Sequence, residues 1–228
     1  EQQRSDLIAN ISHDLRSPLT SIRGHLETIL VKDYSLSDEE RRDFLEISLK
    51  NVSSFQMLVE ELFELAKLES KQIKPEKEPF HIAELAQDVV LKLKNRADEA
   101  GVDLAVDHPA DLSAVSADIG MIERVLTNVI ENALFHTPVG GKVTVSFAEK
   151  DGSLIFTITD TGGGIDAEDL PHVFERFYRG DKSRDRSTPG TGLGLAIAKE
   201  IVELHEGTIK AESPAESGAV FRVLIPLR

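Results

Sequence analysis

The sequence predicts an α+β protein in which an N-terminal helical hairpin is followed by an α/β sandwich. Two observations predict this order of elements. Apolar residues recur at steps of three and four over residues 5–71, a pattern typical of helices that pack in a bundle. From Phe80 onward, amphipathic helical segments are interspersed with short runs in which every second residue is apolar, as in half-buried strands.

The hairpin consists of two helices with one apolar stripe each. The first stripe contains Ile8, Ile11, Leu15, Leu19, Ile22, Leu26 and Ile29. Ser37 with Glu40 three positions later forms a capping box that opens the second helix, which places the loop at residues 32–36. The second stripe contains Leu45, Leu49, Val52, Phe55, Val59, Leu62 and Ala66. Because one hairpin cannot bury both stripes, we expect a homodimer that forms a four-helix bundle.

The second part of the chain mixes helices with mostly antiparallel strands. An amphipathic helix begins near Ile82 and ends near Gly101, a strand covers residues 102–106, and another helix covers residues 118–135. Asp151-Gly152 between two alternating runs indicates a β-hairpin, and a helix over residues 194–206 precedes two closing strands. The prolines at 75 and 79 mark a linker, so the predicted domains are 1–74 and 80–228, with the linker at 75–79.

Composition excludes several classes of protein. The chain contains no cysteine, which rules out disulfides and thiolate metal sites and favours a reducing, cytoplasmic location. The formal net charge of −14 argues against a nucleic-acid partner, since binding phosphate backbones needs clustered Lys and Arg. No apolar run approaches the ~18 residues needed to span a bilayer, so we expect no membrane contact by this chain.

His13 is the first candidate for chemistry. It lies off the apolar stripe of its helix, and a neutral imidazole is a good nitrogen nucleophile that Asp14 could orient or deprotonate. Pro18 removes a helical hydrogen bond at a cost of about 3 kcal/mol, which indicates a bend next to His13. The alternative is an ordinary surface histidine in a helix that ends at the proline.

Asn128 and Asn132 are spaced to share one face of their helix, opposite its apolar face. Amide oxygens are hard ligands suited to Mg²⁺, and amide nitrogens can contact phosphate. Two solvated asparagines are the alternative.

Asp160 ends a predicted strand and is followed by the glycines at 162–164. A carboxylate in this place can accept a hydrogen bond from the exocyclic amine of adenine, while Gly162 and Gly164 let the backbone approach the base closely. A simple turn is the alternative, although three consecutive glycines are costly there unless something must come close.

A third motif passes from a glycine-rich loop into a helix, where loop amides and the helix N-terminus make an anion site. Its residues are Gly190, Thr191, Gly192, Leu193 and Gly194. Upstream of this loop, Arg176 and Arg179 could reach a terminal phosphate and offset its charge.

Together these motifs resemble those of sensor histidine kinases over essentially the whole chain. The family's five boxes occur in order: the phospho-acceptor box around His13, the asparagine box at 128–132, the glycine boxes at 160–164 and 190–194, and the phenylalanine box at 174–179 between them. The resemblance implies a dimerization and histidine phosphotransfer hairpin followed by an ATP-binding domain of the Bergerat type. It further implies that ATP phosphorylates His13, and that the phosphoryl group passes to an aspartate on a response-regulator receiver domain.

The resemblance also assigns roles to residues and implies a membrane-bound sensor upstream of a cytoplasmic kinase. Asn132 and Asn128 would hold Mg²⁺, Asp160 would recognise adenine, and Asp14 would help His13 attack the γ-phosphate. The second glycine box, with Arg176 and Arg179, would hold the triphosphate.

Two positions depart from the family pattern. Phe135 stands where Lys or Arg is common, so Lys142 or the arginines of the phenylalanine box would have to supply that charge. Ser17 stands where the family's phosphatase motif commonly has Thr or Asn, and its hydroxyl could still position a water for dephosphorylation of the regulator.

Two alternative functions remain open on the sequence. A Bergerat-type ATPase clamp resembles the second domain but places a Glu general base at the position of Asn128, and without it water is not obviously activated. The other alternative is a non-catalytic signalling scaffold. Intact His13, Asn132, Asp160 and both glycine boxes argue against it.

Overall fold

The computed structural model describes residues 18–31, 35–70, 72–107, 109, 112–180, 191–214 and 218–227. The chain forms two compact units, Glu1–Glu64 and Leu65–Arg228. A helical N-terminal region followed by a mixed sheet with helices confirms the predicted α+β fold class. The predicted domain limits, 1–74 and 80–228, stay a prediction.

The first unit is built from helix α1, residues 18–31, and helix α2, Asp38–Glu69, whose last turn enters the second unit. The predicted capping box is present at the start of α2. The Ser37 amide donates to Glu40 Oε2 at 2.8 Å, and the Glu40 amide donates to Ser37 Oγ at 3.2 Å. Two amide donors that the helix cannot satisfy internally are therefore paired, which fixes where α2 begins.

Polar and aromatic contacts join α1 to α2 within the hairpin. Asn51 Nδ2 donates to Ser21 Oγ at 3.1 Å, and the His25 and Phe44 ring centroids lie 5.4 Å apart. Four of the seven residues of the predicted stripe of α2 are exposed, among them Leu49 at 66% and Leu45 at 44%. The hairpin thus leaves an uncovered apolar face when the chain is considered alone.

The second unit is a five-stranded sheet with a layer of helices and a separate two-stranded sheet. The helices are α3, Ile82–Ala100; α4, Ile119–His136; and α5, Gly194–Leu204. The large sheet has the strand order β2-β4-β5-β7-β6, in which only the β2–β4 pair is parallel. Its strands are β2, Asp103–Asp107; β4, Lys142–Lys150; β5, Ser153–Asp160; β6, Thr208–Glu212; and β7, Val220–Pro226.

The second, two-stranded sheet was not predicted from the sequence. Strand β1, Glu78–Phe80, pairs antiparallel with β3, Val115–Ala117. The last two residues of the predicted linker, Glu78 and Pro79, therefore belong to a strand. Three-residue strands have no measurable alternation, and their partner lies more than thirty residues away, so local pattern could not reveal them.

Turn chemistry explains the boundaries that the sequence did predict. Asp151 and Gly152 have φ of 51° and 72°, the left-handed pair that a two-residue hairpin between β4 and β5 requires. Helix α3 ends at Gly101, whose φ is 67° and whose amide returns to the last turn. The Asp118 side chain accepts from the Met121 amide and opens α4.

The core lies between the helices and the inner face of the large sheet. Every second residue of β5, from Leu154 to Asp160, is buried, and β4 and β7 alternate in the same way. Across from them, α4 is apolar along the buried face, and its fully buried large side chains include Ile122, Leu126 and Ile130. No helix of the described residues is both long enough and apolar enough to cross a bilayer.

One buried histidine ties the ends of two helices together. His205, 2% exposed, follows α5, and its Nδ1 lies 2.8 Å from the Ile201 carbonyl oxygen. Its Nε2 accepts from the Asp118 amide at 3.0 Å, which requires a neutral ring with the proton on Nδ1. Burial lowers the pKa of His205, Lys77 lowers it further, and the Ile201 carbonyl and Asp118 oppose the shift.

We expect this histidine to make stability fall in mild acid. Because its folded pKa lies below the unfolded value of about 6.5, its contribution is complete above that pH and is lost as pH falls through the folded pKa. Urea unfolding between about pH 7.5 and 5.5 should show a smaller loss of unfolding free energy in His205→Gln than in wild type. The exposed His81 supplies the control: His81→Gln should keep the wild-type slope, and equal slopes in all three proteins would contradict the assignment.

Candidate functional site

Asp160 is the centre of the candidate site. It continues the inward side of β5 after Leu154, Phe156 and Ile158, and it is only 2% exposed. Its Oδ1 accepts from the Gly162 amide at 2.8 Å and from the Ala219 amide at 3.1 Å. Within the described part of the chain both hydrogen bonds use Oδ1, so Oδ2 is the atom left to accept from a ligand.

The glycines after Asp160 are required by close approach to the protein itself. A Cβ on Gly162 would lie 2.3 Å from the His136 carbonyl oxygen, and a Cβ on Gly164 would lie 2.6 Å from Ser213 Oγ. Gly164 also has a φ of 72°, which disfavours other residues. Gly163 has open space around it, so two of the three predicted glycines have a steric reason.

The asparagine pair lies on α4, and the side-chain nitrogen of its first member, Asn128, already has a hydrogen-bond partner. Asn128 is 7% exposed, and its Nδ2 donates to the Gly194 carbonyl oxygen at 2.9 Å. This bond ties α4 to the first residue of α5 and leaves Oδ1 as the atom available to a cation. Asn132, one turn later, is half-buried.

The second glycine motif is a tight turn into α5. Gly192 has a φ of 71°, and a Cβ there would lie 2.9 Å from the Phe177 Cα. The Phe177 amide donates to the Gly192 carbonyl at 2.9 Å, while Thr191 Oγ1 accepts from the Leu193 amide at 3.2 Å. Helix α5 has Leu193 at its N-cap with no side-chain capping bond, so its first-turn amides suit an anion.

His136 is a site residue that the sequence analysis missed. It is the last residue of α4, eight positions after Asn128 and four after Asn132, so all three share one helix face. Partial burial lowers the pKa of its imidazole, and the charge of nearby Asp160 opposes that shift. The spacing was the available signal, and a neutral, partly exposed ring beside Asp160 is suited to contact a flat aromatic base.

Comparison with known proteins finds a family match for each of the two parts of the chain. Residues 3–71 match the His Kinase A (phospho-acceptor) domain, and residues 117–228 match the histidine kinase-, DNA gyrase B- and HSP90-like ATPase. Sensor protein SrrB of Staphylococcus aureus is 34% identical over 226 residues, which are 99% of this chain and 38% of SrrB. The chain belongs to the sensor histidine kinases.

Solved histidine kinases share its fold. The histidine kinase AdeS of Acinetobacter baumannii is 28% identical, with a TM-score of 0.76 over 95% of this chain and 98% of AdeS. Full-length ShkA in complex with AMPPNP is 26% identical, with a TM-score of 0.72 over 97% of this chain and 45% of ShkA. The chain spans about two fifths of the curated relatives it matches, 38% of SrrB.

Two basic residues of this histidine kinase that were expected to contact phosphate have carboxylate partners. Arg176 forms an ion pair with Glu69, within the second unit, and Arg179 is half-buried. Lys142 Nζ lies 3.6 Å from Asp103 Oδ2 on the neighbouring strand, while Phe135 is 39% exposed. Arg176 and Lys142 are thus paired with carboxylates in this structure, and their predicted phosphate contacts stay predictions.

Four predicted site residues of the histidine kinase lie outside the described residues: His13, Asp14, Ser17 and Gly190. Among the others, the structure brings Asp160 together with Gly162, and Asn128 together with Gly194. These two pairs come from three motifs, the asparagine box and the two glycine boxes, and all four residues lie in one unit.

Replacing Asp160 by Asn tests the site directly. The amide keeps Oδ1 but turns the ligand-facing atom into a donor, so ATP affinity should fall by at least about 1.5 kcal/mol, measured by calorimetry. Asp151→Asn on the exposed hairpin turn and His13→Gln should both bind ATP as wild type does. Equal affinity in wild type and Asp160→Asn would contradict the assignment of Asp160.

Proposed function

We propose that this chain uses ATP to phosphorylate its own His13 and then donates the phosphoryl group to an aspartate on a response-regulator receiver domain. The observation that carries the proposal is the buried Asp160 carboxylate, fixed through Oδ1 and open at Oδ2, in a chain that also matches the phospho-acceptor domain. A base-reading site and a histidine acceptor in one chain are the two parts that such a transfer needs.

Adenine is the base that the site fits best. Oδ2 of Asp160 offers an acceptor to the 6-amino group, whereas the 6-oxo group of guanine would place two acceptors against each other. His136 beside it supplies an aromatic face. The complex of the similar kinase ShkA with AMPPNP agrees with an adenine nucleotide.

Mg²⁺ would be held by the amide oxygens of Asn128 and Asn132 together with phosphate oxygens. The fit rests on Asn128, whose nitrogen is already bonded to the Gly194 carbonyl, so that its oxygen remains for a hard cation. No group of three or more His, Cys, Asp or Glu suited to a metal occurs among the described residues. When bound, the ion would neutralise charge on the transferring phosphoryl group.

The triphosphate would lie at the start of α5. Its open first-turn amides and the turn at 191–194 present backbone donors to an anion. Arg179 would add charge there, and Arg176 would do so by exchanging Glu69 for phosphate. The phenylalanine box, residues 174–179, places both arginines on a short segment of turns.

The site favours a kinase over an ATPase clamp. A clamp needs a carboxylate base at the position of Asn128, and that amide is instead committed to Gly194. Glu131 in the same box forms an ion pair with Arg96 on α3 and is not available as a base. A weakly activated water leaves the histidine of the hairpin as the better nucleophile.

The chain would act as part of a signalling protein. We place it within a sensor protein, in line with its similarity to sensor protein SrrB, and on the cytoplasmic side of the membrane that such a sensor would span. The same hairpin could also support dephosphorylation of the regulator, with the Ser17 hydroxyl positioning the attacking water.

The product should be phosphohistidine. Label from γ-labelled ATP should be lost in acid and kept in base, and it should be absent from His13→Gln but unchanged in His81→Gln. Asp14→Asn should slow labelling by about 10²-fold, the usual scale of general-base assistance, with ATP affinity unchanged. Acid-stable label, or undiminished label in His13→Gln, would show that His13 is not the acceptor.

A homodimer through the hairpin should cover the exposed apolar face. Leu49 is 66% exposed on α2, so Leu49→Glu would place an unpaired charge in that interface. Light scattering at micromolar concentration should give twice the 25.1 kDa chain mass for wild type and a marked shift toward monomer for Leu49→Glu. Leu91, 74% exposed on α3, provides the control, since Leu91→Glu should stay dimeric. A monomeric wild type would refute the dimer.

A further inference from the structure

Gly218, at the end of the connection from β6 to β7, closes directly on the Asp160 carboxylate. A Cβ on Gly218 would lie 2.1 Å from Asp160 Oδ1 and 2.5 Å from the Gly162 amide nitrogen. Both atoms are held by hydrogen bonds, so a methyl group could enter only by displacing the carboxylate. Close approach to these two atoms is sufficient reason for a glycine here.

The neighbouring residue Ala219 fixes Asp160 from two sides. The Ala219 amide donates to Asp160 Oδ1 at 3.1 Å, and the Asp160 amide donates to the Ala219 carbonyl at 3.0 Å. Backbone donors on a buried carboxylate oxygen set the plane of the carboxyl group, because rotating the carboxyl group would break both bonds to Oδ1. The direction of Oδ2 is therefore set by the chain at 218–219 as well as by β5.

Ser213, which follows β6, holds the other end of the glycine turn. Its Oγ accepts from the Ile165 amide at 2.8 Å and lies 3.5 Å from the Gly218 carbonyl. The same Oγ would lie 2.6 Å from a Cβ on Gly164, so the turn packs tightly against it. The turn after Asp160 thus packs against Gly218 at its start and is hydrogen-bonded to Ser213 at its end.

We propose that Gly218 and Ser213 are positioning residues that aim Oδ2 of Asp160 at the 6-amino group of adenine. None of the five boxes found in the sequence contains Gly218 or Ser213, and the inference rests on the proposed ATP site. A displaced carboxylate would keep its charge and its burial but lose the alignment that distinguishes a base with an amine from one without it.

The test compares ATP with purine riboside triphosphate, which differs only in lacking the 6-amino group. Calorimetry on the 228-residue chain should give wild type a preference of about 10-fold for ATP. In Gly218→Ala this preference should fall to within about 2-fold, through weaker binding of ATP alone. Gly207→Ala is the matched control, since its Cβ would lie 2.4 Å from the Leu224 carbonyl, away from Asp160.

The control separates positioning from stability. Both alanine variants should lower the melting temperature, but Gly207→Ala should keep the wild-type preference for ATP. Adding Gly218→Ala to Asp160→Asn should cause no further loss of preference, because the two changes remove the same contact. Ser213→Ala should weaken the preference about 3-fold, and Ser213→Thr, which keeps the hydroxyl, should restore it.

The possible failures are distinguishable. A wild-type preference in Gly218→Ala, together with a lost preference in Asp160→Asn, would overturn the positioning role and leave the ATP site standing. An equal loss for Gly218→Ala and Gly207→Ala would also overturn it, since the effect would then be general destabilisation. No preference in wild type would count against the ATP site itself.

Discussion

The second unit is organised around one buried negative charge. A carboxylate taken out of water is tolerated only when hydrogen bonds replace its hydration, and Asp160 receives two from the backbone on a single oxygen. Meeting that requirement brings the glycine turn after β5 and the chain before β7 to the same atom. Glycine at 218 follows from it, because a Cβ there would lie 2.1 Å from Asp160 Oδ1. A Cβ on Gly162 would lie 2.9 Å from the same oxygen and 2.3 Å from the His136 carbonyl oxygen.

Two further buried polar contacts hold the helices that flank this carboxylate. Asn128 joins α4 to the start of α5, while Asp118 and His205 join the beginning of α4 to the end of α5. The two helices consequently run in opposite directions and are pinned at two separate points. Asp118 also caps α4 and accepts from the Glu76 amide, so the segment before β1 is fastened to the same corner.

Several basic residues of the second unit are paired with carboxylates. Arg96 and Lys92 on α3 pair with Glu131 and Glu123 on α4, which helps fasten α3 to α4. Arg176 pairs with Glu69 and also lies near Glu200. Burial raises the pKa of Glu200, and the charge of Arg176 partly opposes that rise. In our proposal the backbone amides of the glycine turn bind the anion, because Arg176 and Lys142 already have carboxylate partners.

Local sequence patterns predicted the long helices, the β4–β5 hairpin, and the motif residues Asn128, Asp160 and the glycine turn. Each of these depends on local chemistry: helical periodicity, a capping box at Ser37, a left-handed pair at Asp151, and alternation that carries Asp160 to the inner face. Family resemblance, rather than pattern, supplied the role of His13.

Tertiary structure decided what no local pattern contains. Strands β1 and β3 are too short to alternate, and they exist because each supplies the other's hydrogen bonds. The partner of Arg176, the placement of His136 beside Asp160, and the closeness of Gly218 to its carboxylate join residues far apart in the chain. The physical reason is that propensity acts between neighbours in sequence, whereas burial and steric contact act between neighbours in space.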